Sequence, residues 1–240
     1  AGTAEYLSNF SYRLVFNDNY WQAINSQVKS ELAWTRARNG FVPSVEAARL
    51  QTFASSVSGN EVRILHLPYL RYDVLDRPLG SPTSPVDWGM GSSLSHLGRA
   101  EPGLHARNDV RVDLYPHLSL PIVAGGWSIV PQLALRATLY SNQQIPDLTG
   151  GNGGVPTVSH DPLRRTYGEA AIDIRPPAME RDFPIGHDGK VLRHVIEPEL
   201  TYHFVGGIGS QARNVLLVDT SDIATDTNEA GYSLTQRFYV

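Results

Sequence analysis

The sequence contains no cysteine, which excludes disulfide bonds and cysteine-liganded metal sites. It contains no apolar run of about 18 residues, the length a transmembrane helix needs. Charge is sparse: 18% of residues are charged, against roughly 25% in an ordinary soluble domain. The balance is slightly acidic, 20 Lys+Arg against 24 Asp+Glu, with a pI near 6.1, so a nucleic-acid partner is not expected. Methionine is scarce, 2 residues against 11 Tyr and 4 Trp. That aromatic balance suits the interfacial girdles of transmembrane barrels and, equally, β-sheets in general. Residue 1 is Ala, and no basic-then-apolar leader follows it; the chain is expected to be either processed or a fragment.

What the sequence does contain is alternation, and Arg107 to Tyr140 is its centre. Val110, Val112 and Leu114 alternate with Asp109, Arg111 and Asp113. Beyond Gly125-Gly126, Leu133, Leu135, Ala137 and Leu139 alternate with Gln132, Ala134, Arg136 and Thr138. A period of two sends each set to its own face of a strand, and two such strands at a glycine turn form an antiparallel hairpin. One face is aliphatic; the other carries charges of both signs.

The same signal recurs along the chain. Tyr12, Leu14 and Phe16 alternate with Ser11, Arg13 and Val15 before an Asn17-Asp18-Asn19 turn. Residues 20–38 read as a strand leading into Asn39-Gly40, the strongest hairpin signal present. Residues 41–53 return from it as a strand, although VEAARLQTF also has helical spacing. Further strands are expected over 61–67 and 69–75, split by Pro68, over 88–97, and over 164–175, ended by Pro176-Pro177. Residues 98–103 read as a turn, and Pro116 and Pro121 as breaks in the first arm of the central hairpin. Residues 191–204 give the longest strand signal; His194 and Pro198 on its apolar face predict a bulge or a strand end. Residues 231–240 form the last strand, and 76–85, 141–163, 181–190 and 206–227 read as connectors. The expected fold is all-β: an antiparallel transmembrane β-barrel of about ten strands.

No motif carries covalent chemistry. The 8 histidines include no HxxxH or HExxH, and His194 and Glu197, three apart, point to opposite faces of a strand. There is no GxSxG, and Ser95-His96 are strand neighbours that cannot face each other. The glycines at 150–154 and 206–209 lack a following Lys-Ser/Thr. Asp219, Asp222, Asp226 and Glu229 do not fit calcium-loop spacing and read as a solvated acidic loop. No catalytic, cofactor or metal residue is assigned, and no enzymatic activity is expected. The polar strand faces say more. Arg13, Arg111, Arg136, Arg193 and Arg237 lie on them; in a soluble sandwich they face solvent, whereas in a barrel they line the lumen as candidate contacts for an anionic amphiphile.

Several stretches resemble, in order, the barrel region of LptD-type lipopolysaccharide-assembly proteins, also called organic-solvent-tolerance proteins. They are EYLSNFSYRLVFNDNYWQAINSQVKSELAWT, RVDLYPHLSLPIVAGGWSIVPQLALRATLYS, IRPPAMERDF, VLRHVIEPELTYHF and DTSDIATDTNEAGYSLTQRF. Arg111, Asp113, Pro116, Ser119 and Pro121 match one family pattern, and His194, Ile196 and Pro198 another. The resemblance implies a large barrel in the outer membrane of a Gram-negative bacterium. Such a barrel receives lipopolysaccharide from an LptA-type periplasmic bridge and delivers it to the outer leaflet through a lateral opening. It also implies an LptE-type lipoprotein plug in the lumen, contact with outer-membrane lipids, insertion by the barrel-assembly machinery, and no cofactor. Residues 1–240 would be a single barrel segment, without the family's N-terminal periplasmic jelly-roll domain, its closing C-terminal strands or the cysteines of some members. Gate residues lie at the seam and are not carried over. The residues by themselves also allow an outer-membrane porin or uptake channel with 141–163 as its constriction loop, and a soluble β-sandwich binding module. On the barrel reading, Leu135→Arg is expected to be costly and Arg136→Leu far less so.

Overall fold

A computed structural model describes residues 1–7, 15, 25–55, 57, 59–151, 153–185 and 190–240, without the side chains of 105–108. Except for Val15, the strand and turn read over 11–19, including Arg13, lie outside the described residues, as does the Asp188-Gly189 turn.

In chain order the strands are β1 (Gly2–Thr3), β2 (Gln27–Thr35), β3 (Phe41–Phe53), β4 (Glu61–Pro78), β5 (Asp87–Glu101), β6 (Leu104–Ser119) and β7 (Ile122–Ala124). They continue as β8 (Trp127–Tyr140), β9 (Gln143–Ile145), β10 (Thr157–Ser159), β11 (Leu163–Arg175), β12 (Met179–Ile185), β13 (Lys190–Gly206) and β14 (Thr227–Tyr239). Twelve of them form one antiparallel sheet in which chain neighbours pair, while β9 and β10 make a separate hairpin. Among the described residues this sheet does not close on itself.

Local chemistry explains the turns. Asn39 and Gly40 have φ of 52° and 79°, and Gly125 and Gly126 have 59° and 83°. Two successive positive φ values match the twist of the flanking strands.

Proline acts differently from the sequence expectation. Pro68 does not divide two strands: β4 runs through it, and the register slips there against both β3 and β5, so the missing donor is absorbed in a bulge. Pro116 stays in β6, opposite Met90. Pro121 does interrupt, yet β7 resumes along β8, with Ile122 opposite Ile129. Pro176-Pro177 likewise ends β11, and β12 resumes along the same edge of β13: Ile174 faces Leu200, then Met179 faces Ile196. Residues 181–190, read as a connector, therefore hold most of a strand. β5 extends through Gly98 with a bulge between Leu97 and Arg99, which shortens the expected turn to Pro102-Gly103. No bulge accompanies His194, since β13 and β14 pair without a slip from Arg193 to Val205. Near the start of β13, its ring stacks on Phe238 at 4.3 Å.

The turns at 36–40 and 125–126 lie at one end of the sheet, and the long connectors 141–162 and 207–226 at the other. The 207–226 connector, which includes a 3-10 helix at Gly209–Arg213, packs back on the sheet. Leu216 and Val218 bury against Leu97 and Leu104, and Ile208 against Tyr167 and Val205.

Candidate functional site

Directly opposed residues on neighbouring strands share a face. The register therefore joins Val112–Leu139, Leu114–Ala137 and Leu118–Leu133 to Gly168–Leu135 and Ala170–Leu133. From there it continues through Phe204, Tyr202 and Leu200 on β13 to Tyr232 and Leu234 on β14. This is one continuous apolar face, and it is bare: Leu133 is 63% exposed and Leu135 64%. Along β11, small Gly168 and Ala170 lie between Leu133, Leu135 and Phe204, opening an apolar groove of about 900 Å³.

The opposite face reverses the usual order of a soluble protein, in which charge is outside. Asp109, Arg111, Asp113, Ser119, Thr138 and Arg165 are buried, Arg111 at 1% and Arg165 at 0% exposure. The 207–226 connector covers their upper part. Arg111 donates from Nη1 and Nη2 to the two Asp219 oxygens at 2.9 and 2.7 Å, and from Nη1 to Asp222 Oδ1 at 2.8 Å. The Tyr140 hydroxyl donates to the same Asp222 oxygen at 2.9 Å. The other Asp222 oxygen accepts the backbone N–H groups of Val218 and Asp219 at 2.9 and 3.1 Å. Arg165 donates to the carbonyls of Asp222 and Ser221 at 2.7 and 2.8 Å, and Arg99 to that of Leu217. Burial alone would raise the Asp219 pKa; the bonds and charge of Arg111 outweigh it and hold the carboxyl below its usual value. Asp226 is also lowered, because its oxygens accept the N–H groups of Ile208 and Gly209.

Below the connector, the polar face is a ladder of paired charges. Arg136 grips Asp113 through Nε–Oδ1 and Nη2–Oδ2, both 3.0 Å. Arg175 meets Glu199 at 2.7 Å, Arg193 meets Asp182 at 2.9 Å, and Arg237 meets Glu197 at 2.8 Å. The Tyr115 hydroxyl donates to Glu169 at 2.9 Å. His117 reaches Asp76 at 2.6 Å across β5, and it does so over Gly89, where a Cβ would strike both side chains. The Gly/Ser character of β5 thus has a steric purpose on this face.

Arg111, Arg136, Arg193 and Arg237 all stand on the polar face, as the alternation predicts. The structure pairs every one with a carboxylate, which the sequence did not foretell. The acidic stretch at 219–226 is not simply solvated, since Asp222 is buried. The segment lying on the polar face is 207–226 rather than 141–163; the two connectors touch where the Gln144 N–H bonds the Asn214 carbonyl. Sequence reasoning missed Arg165. The available signal was Val215-Leu216-Leu217-Val218 just before the acids, an apolar run that marks a docking connector.

Comparison with known proteins follows the same line. The family model LptD, described as LPS transport system D, matches residues 3–238. The LPS-assembly protein LptD of Aliivibrio fischeri (strain ATCC 700601 / ES114) is 25% identical over 229 residues, covering 92% of this chain and 26% of the relative. The chain thus spans about a quarter of the length of that curated relative.

Proposed function

The chain belongs to the LptD family, LPS transport system D, and from that premise we propose that it forms part of an outer-membrane β-barrel that carries lipopolysaccharide to the cell surface. One observation carries this reading: bare aliphatic side chains alternate, residue by residue, with buried or paired charges. Such a wall offers hydrocarbon on one side and a polar environment on the other. Each half of an amphiphile then meets its own solvent, avoiding the cost of polar groups in hydrocarbon. The long connectors lie at the cell-surface end and the tight turns at the periplasmic end, the usual habit of such barrels.

In the finer reading, strands outside this chain complete the barrel, with 1–240 as one segment of it. An LptE-type lipoprotein sits in the lumen, an LptA-type bridge supplies the lipid, and the lipid leaves through a lateral opening at the seam. The barrel-assembly machinery inserts the protein, and no step makes or breaks a covalent bond. A photo-crosslinking residue in the full-length protein tests this. Lipopolysaccharide should be captured from Thr201 on the polar face only while the supply bridge is energised, and membrane lipid from Leu135 regardless. No lipopolysaccharide at Thr201 refutes transport. A second reading, an uptake channel, draws on the 207–226 segment against the polar face; solute-selective conductance in liposomes would favour it.

A further inference from the structure

At the tight-turn end, the apolar face finishes in a rim of aromatic and basic side chains. The Arg36 N–H bonds the Pro43 carbonyl and Arg38 bridges Phe41, which continues the β2–β3 register and puts both arginines on the face of Trp34 and Val45. Arg77 pairs with Trp88 across β4 and β5, and Arg181 with His194 across β12 and β13. Trp127, at the start of β8, shares the face of Ile129 and Leu133. The guanidiniums of Arg77 and Arg181 lie 5.1 Å from the ring centres of Phe41 and Phe183. All four arginines are exposed.

Among the described residues, the carboxylates of this end face the other way. Asp87 and Asp182 oppose Ser119 and Arg193 on the polar face, Glu180 opposes Val195 there, and Asp76 is turned inward onto His117. Among the described residues none of the four arginines pairs with a carboxylate. The opposite end differs: Arg63, on the same outer face, is paired with Glu61. Among the described residues, outward charge at the tight-turn rim is thus basic and unneutralised, directly beside rings of the kind that settle at a membrane interface.

We propose that Arg36, Arg38, Arg77 and Arg181 form a seat for the phosphate headgroups of anionic phospholipids in the leaflet at the tight-turn end. This rests on the proposed function in needing the apolar face to meet lipid, and goes beyond it in naming the lipid. The acyl chains lie on the apolar face while the phosphodiester meets the arginines, whose flat donors suit its oxygens.

The test uses the full-length protein in phosphatidylcholine bilayers containing a trace of spin-labelled phosphatidylglycerol or spin-labelled phosphatidylcholine. The protein-immobilised fraction of each label is read at low and high salt. The wild type should prefer phosphatidylglycerol by roughly fivefold for an arginine engaged at the surface, and less in high salt. The combined Arg36→Gln, Arg38→Gln, Arg77→Gln and Arg181→Gln variant should lose the preference while immobilising phosphatidylcholine as before, which shows that it is folded. Arg63→Gln should keep the preference. Equal immobilisation of both labels by the wild type, or a preference retained by the combined variant, overturns the headgroup seat and leaves the barrel standing. If neither label is immobilised, the apolar face does not meet lipid, and both proposals fail.

Discussion

Leu135 and Thr201 offer a direct test of the two-faced wall. Leu135 lies mid-strand on β8, with Gly168 opposite and, among the described residues, no protein layer over it. On the proposed reading its side chain is near the middle of the hydrocarbon, where an arginine costs about 2–4 kcal/mol. In water, the same change at so exposed a position stays within about 0.5 kcal/mol. Thr201 is also exposed, but on the polar face opposite Asp173. An arginine there meets a carboxylate, and Thr201→Arg should stay within about 0.5 kcal/mol either way. The assay is denaturant unfolding of the full-length protein from phospholipid bilayers, followed by tryptophan fluorescence. A difference of at least about 1.5 kcal/mol between the variants is required; equal, small effects would refute the membrane assignment. Arg136→Leu is the wrong control, contrary to the sequence expectation. Its loss leaves Asp113, whose side chain is 10% exposed against 20% for Arg136, with the Thr138 hydroxyl but no cation, at a cost of about 2–3 kcal/mol. That lies at or below the low end of the range for a broken buried pair, because Arg136 keeps some water.

Arg111→Met leaves Asp219 and Asp222 without their shared cation and should cost about 3–5 kcal/mol; amide exchange should quicken across 214–226 while 129–140 stay protected. The folded pKa values of Asp219 and Asp226 lie below the ordinary 3.8. Their stabilisation is therefore complete above about pH 4 and fades as pH falls through the lower folded values. Protection of 207–226, corrected for intrinsic exchange, should hold from about pH 8 to 5 and decline only below about 4. Gly89→Ala should cost about 1–3 kcal/mol by pushing a methyl into His117, and the loss should shrink in a His117→Ala background, as read by the same unfolding assay.

The alternation between 109 and 140 was legible because a sheet with one apolar and one polar face demands strict parity. Every second residue of β6 from Asp109 to Asp113 had to be polar and its neighbours apolar. Asn39-Gly40 was legible because few other pairs accept two positive φ values. Proline misled wherever the sheet continued on both sides. At Pro68 and Pro116 the neighbouring strands retain enough pairing to carry the chain through. β12 was missed because Arg181 sits among Met179 and Phe183, which blurs the parity of the apolar face. Nothing periodic says where a connector folds. Arg164 and Arg165 are adjacent and point to opposite faces, and only the carbonyls of 221–222 decide that Arg165 is the buried one.

The pairing of the polar face bears on how such a wall would handle an anionic amphiphile. An unpaired arginine in a partly dehydrated wall holds a phosphate tightly, through charge and two parallel donors. A conduit needs contacts weak enough to leave as well as to enter. Arg136, Arg175, Arg193 and Arg237 are each engaged with a carboxylate on a neighbouring strand. A passing phosphate must compete with that carboxylate for every donor, and its net gain is small. On the proposed reading, then, the lumenal arginines keep the wall polar and hydrated without capturing the cargo. On the same reading, the outer-rim arginines, unpaired among the described residues, follow the opposite logic, since there a lipid is meant to stay.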